Sequence, residues 1–288
     1  MIKNKNILII GGAGFIRSHL SEYLVSNNSV LSIDNYLSGT RENHVAGVEY
    51  IEGSSKDILD LAGNFSADII FHLGEYSRVE SSFDDYELVI DNNLVPFSKV
   101  LLYAKHHNAK LVYSGSSTKF AKYTNDDTHS PYAWVKSINT EHLINYANWF
   151  SLEYAIVYFY NAYGGNEIGS GKYSTLIAKY KRLYEEGIKD LPVVSPGTQL
   201  RNFTHYSDIV SGLIMVALKG SGDGFGIGSD RSVSILDIVS YLKCSPTLIP
   251  SRRGNREDAK LVTTNTKALG WYPKYDIEEY LNSFVNEH

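Results

Sequence analysis

Apolar residues in the first 160 positions of this chain occur as short runs, and helix-like segments separate these runs. The apolar runs that predict strands lie at 7–10, 30–33, 48–51, 67–73, 110–113 and 154–159. Helical spacing between them is clearest at 93–107 and 132–150. Strands that alternate with helices indicate a mostly parallel sheet with right-handed crossovers. We therefore predict an α/β fold of the Rossmann type, with a doubly wound parallel sheet.

The pattern changes after about residue 160. A glycine-rich stretch at 164–171 is followed by shorter elements, with helices predicted at 173–186, 208–218, 235–242 and 276–284. We interpret 1–163 as a nucleotide-binding domain that also carries the catalytic residues. Residues 164–288 would form mainly a smaller C-terminal α/β cap, with a segment at about 203–218 returning to the core. A ligand is expected in the cleft between the two parts.

The first predicted strand leads directly into a glycine-rich turn. Gly11, Gly12 and Gly14 follow the apolar run 7–10, and a helical pattern begins at once. Such glycines allow a tight turn and close approach to a pyrophosphate, which the free N–H groups at the helix start can bind. Asp34 ends the second predicted strand, 20 residues after Gly14. Its carboxylate is placed to accept hydrogen bonds from an adenosine ribose, which favours NAD over NADP, although an isolated aspartate there is equally typical of a loop.

Arg17 departs from the expected spacing, because this motif has a third glycine at that position. Three interpretations are open. The side chain swings outward and weakens NAD binding, or it reaches a phosphate or pairs with a carboxylate such as Glu75, or it blocks the cofactor. We favour the first two, because the candidate catalytic residues described below are all present.

Composition and charge narrow the class of protein. The chain has 288 residues and a formal net charge of −5, which argues against nucleic-acid binding. Cys244 is the single cysteine, so no internal disulfide can form, which fits a reducing compartment. The first strand begins too early to leave room for a signal peptide, and no apolar run is long enough for a membrane span. We expect a soluble cytoplasmic protein without a metal.

Tyr132 and Lys136 are spaced four residues apart at the start of a predicted helix, so their side chains share one face. A nearby ammonium favours the phenolate form of a tyrosine, which can then act as a base. This spacing alone also occurs on many surface helices. Here Ser116 lies at the end of the fifth predicted strand, where parallel sheets open onto their ligand crevice. Ser116 can donate to the same substrate oxygen that Tyr132 deprotonates.

Several segments along nearly the whole chain resemble one family, the extended short-chain dehydrogenase/reductases, and within it the NAD-dependent nucleotide-sugar epimerases and dehydratases. The similar segments are G-G-A-G-F-I-R-S-H-L at 11–20, S-R-V-E-S-S-F-D-D at 77–85, S-P-Y-A-W-V-K at 130–136, Y-F-Y-N-A-Y-G at 158–164, P-G-T-Q-L-R-N-F at 196–203 and L-G-W-Y-P at 269–273. The combination is specific for the family and leaves the substrate open.

The resemblance implies roles for individual residues. Ser116, Tyr132 and Lys136 correspond to the catalytic triad. Besides Tyr132 and Lys136, the implied cofactor contacts are Gly11, Gly14, Phe15, Ile16, Asp34, Asn35, Ser54, Ser55, Leu73, Gly74 and Asn93. The implied substrate contacts are Ser77, Ser116, Asn161, Arg201, Arg252 and Asn255. Two departures stand out, because Ser54 replaces a usual aspartate and Glu75 replaces a small alanine that faces the cofactor.

The resemblance also implies a reaction. Tyr132 takes the proton of a sugar hydroxyl, usually at C4, and NAD accepts the hydride. Dehydratases and decarboxylating members usually carry an acid just after the catalytic serine or threonine, where this chain has Ser117 and Thr118. We therefore favour a nucleotide-sugar 4-epimerase, with a UDP-sugar as the favoured substrate, in carbohydrate metabolism such as polysaccharide biosynthesis. The alternatives are a 4-ketoreductase, and a cofactor-impaired homologue that binds a nucleotide sugar without turnover.

Two helices, at about 93–107 and 132–149, correspond to those that form a dimer interface in this family. The apolar residues predicted to form the face at such an interface are Val100, Ala104, Leu143, Ala147 and Phe150. Alternatively, these positions simply face the sheet. We expect a homodimer.

Overall fold

The computed structural model describes residues 1–117, 130–250 and 260–288. The strands are β1 Asn6–Ile10, β2 Ser29–Asp34, β3 Glu49–Glu52, β4 Ile69–His72, β5 Lys110–Ser116, β6 Tyr154–Phe159, β7 Asn161–Tyr163, β8 Asp190–Val194, β9 Leu200–Arg201, β10 Phe203–His205, β11 Gly222–Ile227, β12 Val233–Ser234 and β13 Ser245–Ile249. The helices are α1 Phe15–Val25, α2 Ile58–Leu61, α3 Tyr86–Val89, α4 Val95–His107, α5 Pro131–Phe150, α6 Leu176–Glu185, α7 Tyr206–Lys219, α8 Ile235–Tyr241, α9 Thr264–Ala268 and α10 Ile277–Glu287. None of these helices is both long enough and apolar enough to cross a membrane.

A seven-stranded sheet in the order β3-β2-β1-β4-β5-β6-β11 forms the centre of the fold, and every neighbouring pair in it is parallel. The inner strands are apolar and buried on both faces, as a parallel sheet covered by helices requires. One core cluster packs α1 and α7 on one face, and a second packs α4 and α5 on the other. The Rossmann-type doubly wound fold predicted from the sequence is confirmed.

The edge strand β11 is the element that the apolar pattern shows least clearly. Gly222 and Gly224 adopt left-handed backbone, and three of the six residues from 222 to 227 are glycine, so the segment reads as a loop. It nevertheless pairs with β6, and the Tyr158 hydroxyl donates to Asp223 Oδ1 across that pair at 2.7 Å. The chain therefore contributes to the central sheet well beyond the segment at 203–218.

The later segments build a second, smaller layer with its own apolar core. Its strands form three two-stranded sheets, β10 with β7, β12 with β9 and β13 with β8. Its core draws on α6, α8 and α10. Because β7 follows β6 directly and β10 runs into α7, this layer lies beside the carboxyl ends of the central strands.

Most of the apolar residues proposed for a dimer interface on α4 and α5 face the core and not the outer surface of these helices. Val100, Ala104, Leu143 and Ala147 are buried and pack in the core cluster beneath these helices. Of the five, Phe150 alone is exposed, at 46%. The expectation for the other four was wrong, because helical spacing identifies an apolar stripe and does not tell which layer that stripe faces.

Candidate active site

The glycine turn joins β1 to α1 at the carboxyl edge of the sheet. Gly11 has a φ of +82°, and a Cβ added there would lie 2.6 Å from the Cα of Gly74. Glycine is therefore required for both its backbone conformation and the close approach of the two turns. The Gly11 N–H donates to the carbonyl of Ile33 at 2.7 Å, and the Gly12 N–H donates to Ser32 Oγ at 3.1 Å, which ties the turn to β2.

Asp34 lies where the sequence predicted it, at the carboxyl end of β2. The residue is 5% exposed, and its two carboxylate oxygens accept hydrogen bonds from the N–H groups of Ala13 at 2.9 Å and Tyr36 at 2.8 Å. The carboxylate thus holds the glycine turn and the loop after β2 together. It also faces a cavity of only about 30 Å³, whose lining includes Gly11, Arg17, Asn35, Ser54, Ser55 and Gly74.

The Arg17 side chain turns inward over the glycine turn. Its Nη1 donates to the main-chain carbonyl oxygen of Leu73 at 2.5 Å. A Cβ added to Gly14 would lie 1.8 Å from Arg17 Nη2, and one added to Gly11 would lie 3.2 Å from the guanidinium carbon. The structure shows neither the outward orientation nor the ion pair with Glu75 that we favoured from the sequence. The glycine positions that should admit a pyrophosphate admit the guanidinium instead.

The position of Arg17 is electrostatically costly. Burial lowers the pKa of the guanidinium, and the charges of Asp34 and Glu75 partly oppose that effect. Nε is closed to solvent and has no hydrogen-bond partner. A buried donor without a partner costs free energy. An incoming anion can therefore compete with the Arg17 guanidinium for its place over the glycine turn.

The predicted catalytic residues converge on a second, larger cavity of about 470 Å³. Ser116 ends β5, and Tyr132 and Lys136 lie in the first turns of α5. Helix α5 begins there because Pro131 occupies its first turn and the Ser130 Oγ caps it, accepting from the Ala133 N–H at 3.2 Å. All three residues line the cavity.

Glu75 is the site residue whose contacts sequence reasoning missed. Its carboxylate forms a buried ion pair with Lys136, and the two side chains are 1% and 5% exposed. Asn139 Nδ2 donates to Glu75 Oε1 at 3.1 Å, and the Tyr113 hydroxyl lies 3.4 Å from both carboxylate oxygens. Lys136 Nζ also donates to the carbonyl of Ser114 at 2.6 Å. Burial raises the pKa of Glu75, and the charge of Lys136 opposes that shift.

Some of the remaining predicted contacts line one of the two cavities, whereas Gly14, Asn93 and Arg201 line neither. Those lining the larger one are Phe15, Ile16, Leu73, Ser77 and Asn161. Asn93 is fully buried and exchanges two hydrogen bonds with the backbone of Tyr76, so we expect it to orient the loop after β4. Arg201 lies in β9, where its Nη1 donates to the carbonyl of Leu200 at 2.7 Å. The predicted contacts Arg252 and Asn255, like Thr118, lie outside the described residues.

Arg17 lines both the small cavity next to Asp34 and the larger cavity that holds Tyr132 and Lys136. A bound dinucleotide would place a ribose at Asp34 and a diphosphate at the glycine turn, and we expect its reacting ring near Tyr132 and Lys136. The cavity next to Asp34 holds about 30 Å³, whereas small-molecule sites occupy some hundreds of Å³. Cofactor binding therefore requires the Arg17 side chain to leave the glycine turn.

Comparison with known proteins identifies the family of the chain. A UDP-glucuronate 4-epimerase from Thermodesulfobacterium geofontis is 26% identical over 316 residues, which cover 97% of this chain and 94% of that protein. The crystal structure of a UDP-glucose 4-epimerase from Thermotoga maritima with UDP-glucose superimposes with a TM-score of 0.91 at 24% identity, covering 98% of this chain and 97% of that one. A UDP-glucuronic acid 4-epimerase from Bacillus cereus, solved with UDP-glucuronic acid and NAD, gives 0.84 at 22% identity, covering 98% and 99%. The profile of the NAD dependent epimerase/dehydratase family matches residues 7–228. The chain is therefore an enzyme of the NAD-dependent epimerase/dehydratase family.

Proposed function

We propose that this enzyme is a 4-epimerase of nucleotide-diphosphate sugars. The observation that carries the proposal is the cavity of about 470 Å³ on which Ser116, Tyr132 and Lys136 converge. Glu75 is the one acidic side chain among the described residues that line it, and Glu75 is held by Lys136. Among the described residues the cleft therefore offers Tyr132 as the one free acid–base group for the reacting carbon, and epimerisation needs no second one.

Tyr132 is the group that moves the proton. In its phenolate form Tyr132 takes the proton of the substrate C4 hydroxyl and becomes the neutral phenol, while Ser116 donates a hydrogen bond to the same oxygen. A bound NAD would supply the acceptor, and then the donor, of the hydride at C4. Tyr132 then gives the proton back to the oxygen of the 4-keto sugar, after the sugar has turned to present its other face. Asn161 of β7 and Phe203 of β10 line the cleft on its cap side.

The residue after Ser116 supports epimerisation over dehydration. Ser117 lines the same cavity and has no carboxylate that could remove or add a proton at C5 or C6. A 4,6-dehydration needs such a group in addition to Tyr132. Among the described residues the cleft supplies no free acid for this second step.

One observation favours a second candidate function. Because the Arg17 guanidinium lies on Gly14 and is hydrogen-bonded to Leu73, the chain can also act as a homologue that binds a nucleotide sugar and turns it over poorly or not at all. Such a protein would be stabilised by its ligand without catalysis, as expected for any ligand that binds only the folded state.

We expect the purified chain, given millimolar NAD, to interconvert the C4 epimers of at least one nucleotide sugar without net NADH formation. The panel should include the UDP-, dTDP-, GDP- and CDP-linked hexoses and hexuronates, analysed by chromatography. Tyr132→Phe is the matched control, because it keeps the ring and removes the hydroxyl. Stabilisation by a nucleotide sugar without conversion would support the second candidate, and net consumption of NADH would identify a ketoreductase.

We also propose a homodimer formed through the outer surface of α4 and α5. The exposed large apolar residues of these two helices are Val95 at 49%, Leu102 at 45%, Trp134 at 41%, Trp149 at 68% and Phe150 at 46% exposure. Large aromatic residues exposed together are typical of interfaces. Light scattering should give a dimer mass, and Trp149→Glu should give a monomer. A monomeric mass for the unmodified chain contradicts the proposal.

A further inference from the structure

The loop after β4 places Arg78 in the main cleft. Its side chain lines the same cavity as Ser116 and Tyr132. Nη1 donates to the carbonyl of Ser77 at 3.3 Å, and Nη2 donates to the carbonyl of Tyr173. Nε is closed to solvent and has no hydrogen-bond partner. These contacts fix the guanidinium at the wall of the cleft.

Arg78 carries its charge without a carboxylate partner in the part of the chain that the structure describes. The nearby acids have other partners, because Asp85 accepts from the Tyr76 hydroxyl and pairs with Lys172, and Glu75 pairs with Lys136. Burial lowers the pKa of Arg78, although an arginine side chain stays protonated in proteins. A half-buried cation whose described partners are two carbonyls and the ring of Tyr173 has no counter-charge, and a bound anion offsets that cost.

The surroundings of Arg78 indicate which part of a bound ligand would carry that negative charge. Arg78 lines the cavity together with Tyr132 and Ser116, and its guanidinium lies over the ring of Tyr173, with 5.9 Å between the guanidinium carbon and the ring centroid. In the proposed mechanism Tyr132 contacts the reacting hydroxyl of the sugar. A ligand group that both Arg78 and Tyr132 can reach therefore lies on the sugar ring. The diphosphate of the nucleotide leaves the ring from C1 and is therefore the less suitable partner. A carboxylate at C5, next to C4, meets both conditions.

We propose that the substrate is a nucleotide-activated uronic acid whose C5 carboxylate is bound by Arg78. The inference rests on the proposed 4-epimerase function and specifies its sugar. A guanidinium presents two parallel N–H donors that match a carboxylate, so the ion pair discriminates against a neutral hydroxymethyl group at the same position.

The test compares UDP-glucuronate with UDP-glucose on the unmodified chain and on Arg78→Gln and Arg78→Lys. Dissociation constants are measured by calorimetry, and turnover is measured with saturating NAD. We expect the unmodified chain to prefer the uronate by at least tenfold in both affinity and kcat/KM. Arg78→Gln should remove most of that preference, and Arg78→Lys should retain part of it. Arg41→Gln serves as a matched control, because Arg41 is exposed and pairs with Glu52.

Equal affinity of the unmodified chain for the two sugars, or an unchanged preference in Arg78→Gln, overturns the inference. The preference of the unmodified chain is informative even if a variant fails to fold. Epimerisation of UDP-glucose in preference to the uronate supports the proposed function and rejects the uronate. Tight, selective binding of the uronate without turnover rejects the epimerase and retains the role of Arg78.

Discussion

Replacing Arg17 by glycine is expected to tighten NAD binding by between about tenfold and a hundredfold. In the unmodified chain an entering dinucleotide must displace the guanidinium from Gly14 and break its 2.5 Å hydrogen bond to the Leu73 carbonyl. A hydrogen bond from a charged donor is worth about 1.5 to 3 kcal/mol, which corresponds to that range of affinity. The measurement is the dissociation constant for NAD by calorimetry, without any sugar.

The control variant Arg17→Met separates the volume of the side chain from its charge. Methionine retains a long side chain over the glycine turn and has no guanidinium. If Arg17 obstructs the groove, Arg17→Met should bind NAD less tightly than Arg17→Gly. Weaker NAD binding by both variants than by the unmodified chain would contradict the account, because it would make Arg17 a ligand of the diphosphate.

Replacing Glu75 by glutamine should lower the free energy of unfolding by about 3 kcal/mol at pH 7. The variant leaves the ammonium of Lys136 buried without its counter-charge, and breaking a buried pair from one side costs about 3 to 5 kcal/mol. The remaining hydrogen bond from Lys136 to Ser114 places the expected loss at the lower end of that range. Urea unfolding followed by circular dichroism measures it.

Two variants test whether the loss comes from the buried pair itself. Glu52→Gln is the matched control, since Glu52 pairs with Arg41 at the surface and both are more than half exposed. It should cost less than about 1 kcal/mol. Glu75→Gln combined with Lys136→Met should be less destabilised than the sum of the two single changes. Equal losses for Glu75→Gln and Glu52→Gln would show that the Lys136 pair contributes no more than a surface contact.

The features that the sequence predicted well depend on contacts between near neighbours in the chain. The order of strand, glycine turn and helix at β1 and α1, and the four-residue spacing of Tyr132 and Lys136, are local patterns with a fixed geometry. Asp34 and Ser116 followed from the same logic, because parallel strands end at one edge of the sheet. These residues therefore appear in the structure where the pattern puts them.

The features that the sequence did not predict depend on distant contacts or on side-chain direction. Glu75 and Lys136 are 61 positions apart, and their pairing follows from the adjacency of β4 and β5 rather than from any local signal. The sequence shows that the residue type at Glu75 is unusual, but it does not show that Lys136 is its partner. Arg17 was visible as well, yet whether it turned inward or outward depended on the room that Gly14 leaves. The burial of Val100 likewise could not be predicted without the position of the sheet relative to α4.

The most direct test of the proposed chemistry follows a deuterium label placed at C4 of the nucleotide sugar. The enzyme is incubated with NAD and the labelled substrate, and the product is examined by NMR and mass spectrometry. The account predicts the C4 epimer with the deuterium still on C4 and no accumulation of reduced cofactor. Absence of the epimer with every sugar tested, from the unmodified chain and from Arg17→Gly alike, would contradict it.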